Sequence, residues 1–182
     1  MVRFALRGMG LLILAVLAGL AAGSVGLSGQ EKDPWAPLRF LLGRWEGTGS
    51  GQPGEVALGS STFVFDLDGK VIVRWNRAEY APKPGEKSGA AHKDLLVIYR
   101  QSVDGRFRAA YFDNEGHVIS YDISFPAKEP SVVFESEASE KAPRFRLVYE
   151  LAKDGILSVE FFIAPPGGEF KSYVKGTLKR KA

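Results

Sequence analysis

The 182-residue chain contains no cysteine and only two histidines. The first absence excludes a structural disulfide, a lipid-modified cysteine anchor and thiol catalysis together. The second excludes a metal site built from several imidazoles. Charge of either sign is also in short supply as an excess. Taking away residues 1–29 removes Arg3 and Arg7 and no acid, so of the 24 bases 22 remain against 21 acids. Phosphate binding needs a clustered surplus of Lys and Arg, and the balance therefore argues against nucleic acid as a partner. Lys171, Lys175, Lys179, Arg180 and Lys181 alternate with apolar residues and read as the solvated face of a last strand.

Beyond residue 29 no long apolar run occurs. Before it, Arg3 and Arg7 precede an uncharged stretch from Gly8 to Gly29 with its apolar centre at Leu11 to Leu20. This is the build of a secretory signal, so residues 1–29 are expected to be a signal peptide and the protein to be exported to a periplasm or secreted. Ala21-Ala22-Gly23 and Gly26-Leu27-Ser28 are the two candidate cleavage sites. The alternative is an uncleaved anchor over residues 8–29, the one way the sequence offers of contacting a membrane.

Residues 30–182 have the size of one domain whose stability must come from its core. Asp33, Pro34 and Pro37 followed by Leu38, Phe40, Leu41 and Leu42 predict a helical turn or two, with Trp35 and Phe40 plugging one end of a barrel. From Gly43 onward the hydrophobic period changes to two. Ten strands are predicted: 44–50, 56–67, 70–80, 93–101, 106–113, 117–125, 131–138, 144–151, 156–164 and 170–179. Asp68-Gly69, Asp104-Gly105, Asn114-Glu115-Gly116 and Lys153-Asp154-Gly155 carry hairpin turns between them. Short, evenly spaced connections predict an all-β, ten-stranded up-and-down antiparallel barrel with a short N-terminal helical cap. The longest connection, Ala81 to His92, is rich in Pro and Gly and is a candidate lid.

Strand alternation then assigns faces. Ile119, Tyr121 and Ile123 fall on one face with His117; Phe107, Ala109 and Tyr111 on another; Phe145, Leu147 and Tyr149 on a third; and Tyr99 follows Leu95 and Val97. Val71, Val73 and Trp75 share phase with Arg77 and Glu79, a charged pair suited to a ligand's carboxylate, hydroxyl or carbonyl at a pocket mouth. The expected ligand-binding set is Trp75, Arg77, Glu79, Tyr99, Tyr111, His117, Tyr121 and Tyr149, lining a cavity for one small, mostly apolar molecule. Enzymatic readings are weaker. Asp122 is out of phase with His117, and Glu135, Glu137 and Glu160 read as solvated faces, so no catalytic residue is assigned.

Phe40-Leu-Leu-Gly-Arg-Trp-Glu-Gly-Thr-Gly-Ser-Gly51 resembles the opening of the calycin-like barrels, and among them the nitrobindin-like and DUF1579-type lipocalin-like families. The resemblance implies that Gly43 and Trp45 close one barrel end, with Arg180 or Lys179 of the last strand lying across the Trp45 indole. It also implies haem as an alternative cofactor, held in the nitrobindin-like proteins by a histidine of the last strand. Here that strand contains none, and Tyr173 stands near the equivalent place. An envelope or surface interaction module built on a solid barrel is the remaining alternative.

Overall fold

The computed structural model describes residues 33–82, 85, 89–127, 130–137 and 141–182. The expected signal peptide, its cleavage site and much of the Ala81 to His92 connection lie outside the described residues. Ten antiparallel strands form a closed barrel in which each strand pairs with its sequence neighbours and β1 pairs with β10. They are β1 Gly43–Gly51, β2 Val56–Asp66, β3 Val71–Tyr80, β4 Ala91–Arg100, β5 Phe107–Asp113, β6 Val118–Ser124, β7 Ser131–Ser136, β8 Arg144–Leu151, β9 Ile156–Ala164 and β10 Lys171–Arg180. Each lies within two residues of its predicted ends. The hairpin glycines explain the sharpness of these boundaries: Gly69, Gly105, Gly116 and Gly155 all sit at positive φ, which side chains disfavour.

In a meander, connections alternate between the two ends. One end gathers the β2–β3, β4–β5, β6–β7 and β8–β9 turns and is closed by a 3-10 helix over Ala36–Leu41, with Pro37 in its first turn. Leu38 and Leu41 are completely buried there, and Trp35 packs its ring against Phe65 and Phe107. The expected plug is thus Trp35 with the two leucines; Phe40 stays partly exposed beside them. The opposite end, where β1–β2, β3–β4, β5–β6, β7–β8 and β9–β10 turn, is the mouth.

The seam between β1 and β10 requires close backbone approach. At Gly47 a Cβ would lie 1.9 Å from the Thr177 carbonyl oxygen, so only glycine fits there. At the closed end of the same seam Trp45 faces Arg180 in register. The core runs from this plug along the barrel axis through Phe63, Ile72, Ile98, Phe134 and Leu157.

Candidate functional site

Arg74 and Asp94 are charged residues at interior positions of β3 and β4, and both are buried. Register explains how they meet. One inward row pairs Phe63, Arg74, Leu96 and Tyr111 across β2 to β5, and the next row towards the mouth pairs Ser61, Asn76, Asp94 and Asp113. Arg74 and Asp94 are therefore diagonal neighbours on the inner wall, and a buried charge demands such a partner.

A network grows from this pair. The Arg74 guanidinium donates through Nη2 to Asp94 Oδ1 and through Nη1 to the Tyr149 hydroxyl. Asn76 Nδ2 donates to Asp94 Oδ2 at 2.7 Å, and Ser61 Oγ donates to Asn76 Oδ1 at 2.5 Å. Nearer the mouth, His92 Nε2 lies 3.0 Å from the Tyr111 hydroxyl and 3.5 Å from Asp94 Oδ2, while its Nδ1 lies 3.0 Å from Glu115 Oε1. Tyr111 donates to Asp113 Oδ2 at 3.3 Å. Two buried atoms, Arg74 Nε and the Tyr121 hydroxyl, have no hydrogen-bond partner among the described residues. Rings complete the lining, with Tyr111, Tyr121, Phe134, Tyr149 and Phe63 meeting edge to face in succession.

Burial disfavours the charge on Arg74, yet Asp94 beside it outweighs that cost and holds the guanidinium above its ordinary range. Burial likewise opposes ionisation of Asp94, and the Arg74 charge overcomes it, leaving the carboxyl below the usual carboxylate range. Burial pushes the phenols of Tyr111, Tyr121 and Tyr149 up, so all three keep their protons. Hydrogen bonding to Asp94 first, and then to Glu115, raises His92 to about 9 against its burial. A raised histidine stabilises the fold fully below its unfolded value near 6.5, and that contribution disappears as pH rises to about 9. We expect the urea midpoint to fall between about pH 6 and about pH 9.5, and His92→Gln to flatten that fall. An unchanged slope in the variant would remove His92 from the network.

Of the residues expected to line a pocket, Tyr111, Tyr121 and Tyr149 share the inner wall. Trp75, Arg77, Glu79 and Tyr99 do not converge with them. The phase of β3 and β4 is the reverse of the expected one: Ile72, Arg74, Asn76, Asp94, Leu96 and Ile98 face inward, and Trp75 and Tyr99 are exposed. Each face of these strands mixes apolar and charged residues, Arg74, Asn76 and Asp94 on one and Arg77, Glu79 and Lys93 on the other, and the face with Val71, Val73 and Trp75 is the more apolar by alternation alone. Arg77 and Glu79 pair with one another at 2.8 Å on the outer wall. His117 stands just before β6, in the turn, where its ring meets Asp113 Oδ2 at 2.9 Å in an exposed setting. The outward acids are occupied likewise: Asp122 pairs with Arg108, and Glu135 with Arg146.

Two open concavities mark the outer wall. One, of about 460 Å³, lies over Trp75, Arg77, Lys93, Leu95 and Phe112, and the other, of about 430 Å³, over Thr48, Ser50, Glu160, Lys175 and Thr177. The first lies along a cross-strand row of Trp75, Leu95, Phe112 and Val118.

At the closed end the Arg180 guanidinium lies 4.2 Å from the centre of the Trp45 ring and donates to the carbonyls of Leu42 and Phe40. Trp45 is 1% exposed and its Nε1 donates to Leu41 O at 2.7 Å. Gly43, at φ 114°, leaves the space that the Arg180 guanidinium fills. Lys179, the other candidate for that place, is exposed.

The architecture recurs in a solved protein. Rv2717c from M. tuberculosis is similar to this chain with a TM-score of 0.55, at 14% sequence identity, over 82% of this chain and 98% of its own. The two share a closed barrel. At that identity the likeness speaks for the fold alone. No protein-family model and no curated protein matches the sequence.

Haem can be tested against the donors that the barrel offers. His92 has both ring nitrogens engaged and is held protonated, which removes the lone pair that iron needs. His117 lies outside the barrel against Asp113. Tyr173 packs edge-on against Phe161 at 6.3 Å. The histidines do not fit a haem iron.

Proposed function

We propose that this chain is an exported barrel that binds a small, mostly apolar molecule on its inner wall, entering from the mouth. The observation that carries the reading is the pair of buried polar atoms, Arg74 Nε and the Tyr121 hydroxyl, that no other described residue meets. Buried polar groups are nearly always hydrogen-bonded, so atoms left over in an aromatic-lined interior point to a partner from outside the chain. Phe145, Phe161 and Tyr173, ring against ring and only partly buried, supply apolar surface towards the mouth. Membership of the nitrobindin-like or DUF1579-type barrels belongs to the same proposal and is supported by the Leu42-Gly-Arg-Trp-Glu-Gly-Thr-Gly49 run. Export rests on Arg3, Arg7 and the apolar stretch behind them, and N-terminal sequencing of material recovered outside the cytoplasm reads it directly.

The test uses N-phenyl-1-naphthylamine, a neutral probe whose fluorescence rises in apolar surroundings. It should bind saturably, and Tyr121→Ala should weaken it more than Trp75→Ala does. Equal effects, or no binding, would defeat the interior site. A second reading, an interaction module that meets a partner through its outer wall, is favoured by the apolar row at Trp75, Leu95, Phe112 and Val118, in which Trp75, Phe112 and Val118 are exposed. Under that reading Trp75→Ala is the variant that abolishes probe binding.

A further inference from the structure

We infer that the outer wall of β2 to β6 is the surface through which two copies of this chain associate, the walls stacked face to face and turned end for end. The inference rests on the outer-wall reading alone, since the inner wall lies on the other face of these strands. Register sorts the outward residues of the five strands into cross-strand rows. The two central rows are Thr62, Trp75, Leu95, Phe112 and Val118, then Val64, Val73, Val97, Ala110 and Ser120. No residue in this band is charged, and only Thr62 and Ser120 are polar. The solvated face of an antiparallel sheet is ordinarily polar. Here Trp75, Phe112 and Val118 are 51%, 42% and 67% exposed, a contiguous apolar surface of the kind that meets a partner.

The rows that border the band select the partner. On the mouth side Arg77 and Lys93 stand directly opposite one another, a like-charge cross-strand pair that repels. Arg77 is matched by Glu79, and Lys93 has no acidic partner among the described residues. Towards the closed end the row runs Asp66, Val71, Tyr99, Arg108 and Asp122. Arg108 and Asp122 satisfy each other there, and the Asp66 carboxylate meets the Leu67 amide and no base among the described residues. One edge of the band thus carries an unmatched base and the other an unmatched acid. A two-fold axis in the plane of the contact, perpendicular to the strands, brings the mouth-side row of each copy over the closed-end row of the other. Base then faces acid at both edges, with uncharged band against uncharged band between them. An anionic membrane would be attracted at one edge and repelled at the other. The size also suits a second copy: strands about 4.8 Å apart and rows about 6.8 Å apart give a wall of roughly 24 by 27 Å. That is about 650 Å², against about 600–1,000 Å² that each partner contributes to a stable interface. Side chains of stacked sheets interdigitate, and the concavity over Trp75, Leu95 and Phe112 provides the relief for it.

Sedimentation velocity of the protein purified from its own host, loaded from low to high micromolar concentration, should show the mass shifting from one chain to two. Trp75→Glu, which puts a charge into the band at an already exposed position, should stay a single chain throughout, with its thermal midpoint unchanged to show that it folds. Lys93→Glu and Asp66→Lys should each raise the dissociation constant roughly fivefold, and together they should restore it, because the exchange re-forms the edge pairs with their signs reversed. A single chain at every wild-type concentration, or a dimer that Trp75→Glu leaves intact, would overturn the inference. A double variant as weak as either single one would overturn it too, since the edges would not then face each other. Phosphatidylglycerol vesicles that bind the single chain but not Trp75→Glu would give the wall to a lipid surface instead. If the chain stays single while Trp75→Ala abolishes binding of N-phenyl-1-naphthylamine, the outer-wall reading stands and the second copy alone is refuted.

Discussion

Trp45→Ala should destabilise the protein by about 3–5 kcal/mol, the range for emptying a fully buried large aromatic position. Three interactions meet at this one side chain: the indole is buried, its N–H is bonded to the Leu41 carbonyl, and the Arg180 guanidinium lies over its face. Removing it leaves Leu41 O without its donor and Arg180 without the ring, at the seam where β1 meets β10 and the 3-10 helix docks. Urea unfolding monitored by tyrosine fluorescence and by circular dichroism gives the free-energy difference. Trp45→Phe separates cavity from hydrogen bond, since it restores most of the volume and should recover more than half of the loss. A midpoint unchanged in Trp45→Ala would contradict the closure described for this end.

Asp94→Leu should be comparably costly, about 3–5 kcal/mol, for a different reason. It leaves the Arg74 charge buried with Tyr149 as its remaining partner, and an uncompensated interior charge is among the most destabilising single changes. The double variant Arg74→Met with Asp94→Leu removes both charges and should recover most of that loss, because a buried ion pair stabilises little relative to apolar residues of similar volume. The sign with pH comes from the lowered Asp94 carboxyl. Its contribution is complete above the ordinary carboxylate value near 4 and is lost as pH falls through the lower value it has in the fold. Acid unfolding of the wild type should therefore steepen below about pH 4, and the double variant should lose that part of the curve. A double variant as unstable as Asp94→Leu alone would show that Asp94 acts through Asn76 and His92 rather than through Arg74.

The contrast between β6 and β3 shows what strand alternation can carry. On β6, Ser120 and Asp122 mark the solvent side and leave Ile119 and Tyr121 for the core, where both are buried. On β3, Val71, Val73 and Trp75 alternate with Ile72, Arg74 and Asn76, and hydrophobicity alone sends the valines and the tryptophan inward. The barrel does the opposite. Arg74 is accepted inside because Asp94 and Tyr149 arrive from strands 20 and 75 residues away to satisfy it. A lone charge inside an apolar run, as at Arg74 and again at Asp94, was the available sign of a buried pair. His117 shows the matching limit at strand ends, since phase has no meaning once pairing stops and the chain turns.

The strands, their order and the closed end are legible along the chain, because period-two patterning, Asp-Gly turns and the Gly43-Arg44-Trp45 start are local properties written in neighbouring residues. Which face of β3 and β4 turns inward, and hence that the polar centre is Arg74, Asp94, Asn76 and His92 rather than Trp75, Arg77, Glu79 and Tyr99, was decided only by the tertiary structure. The physical reason is that a buried charge is tolerated or forbidden according to partners that register brings across the barrel, and those partners are distant in the chain.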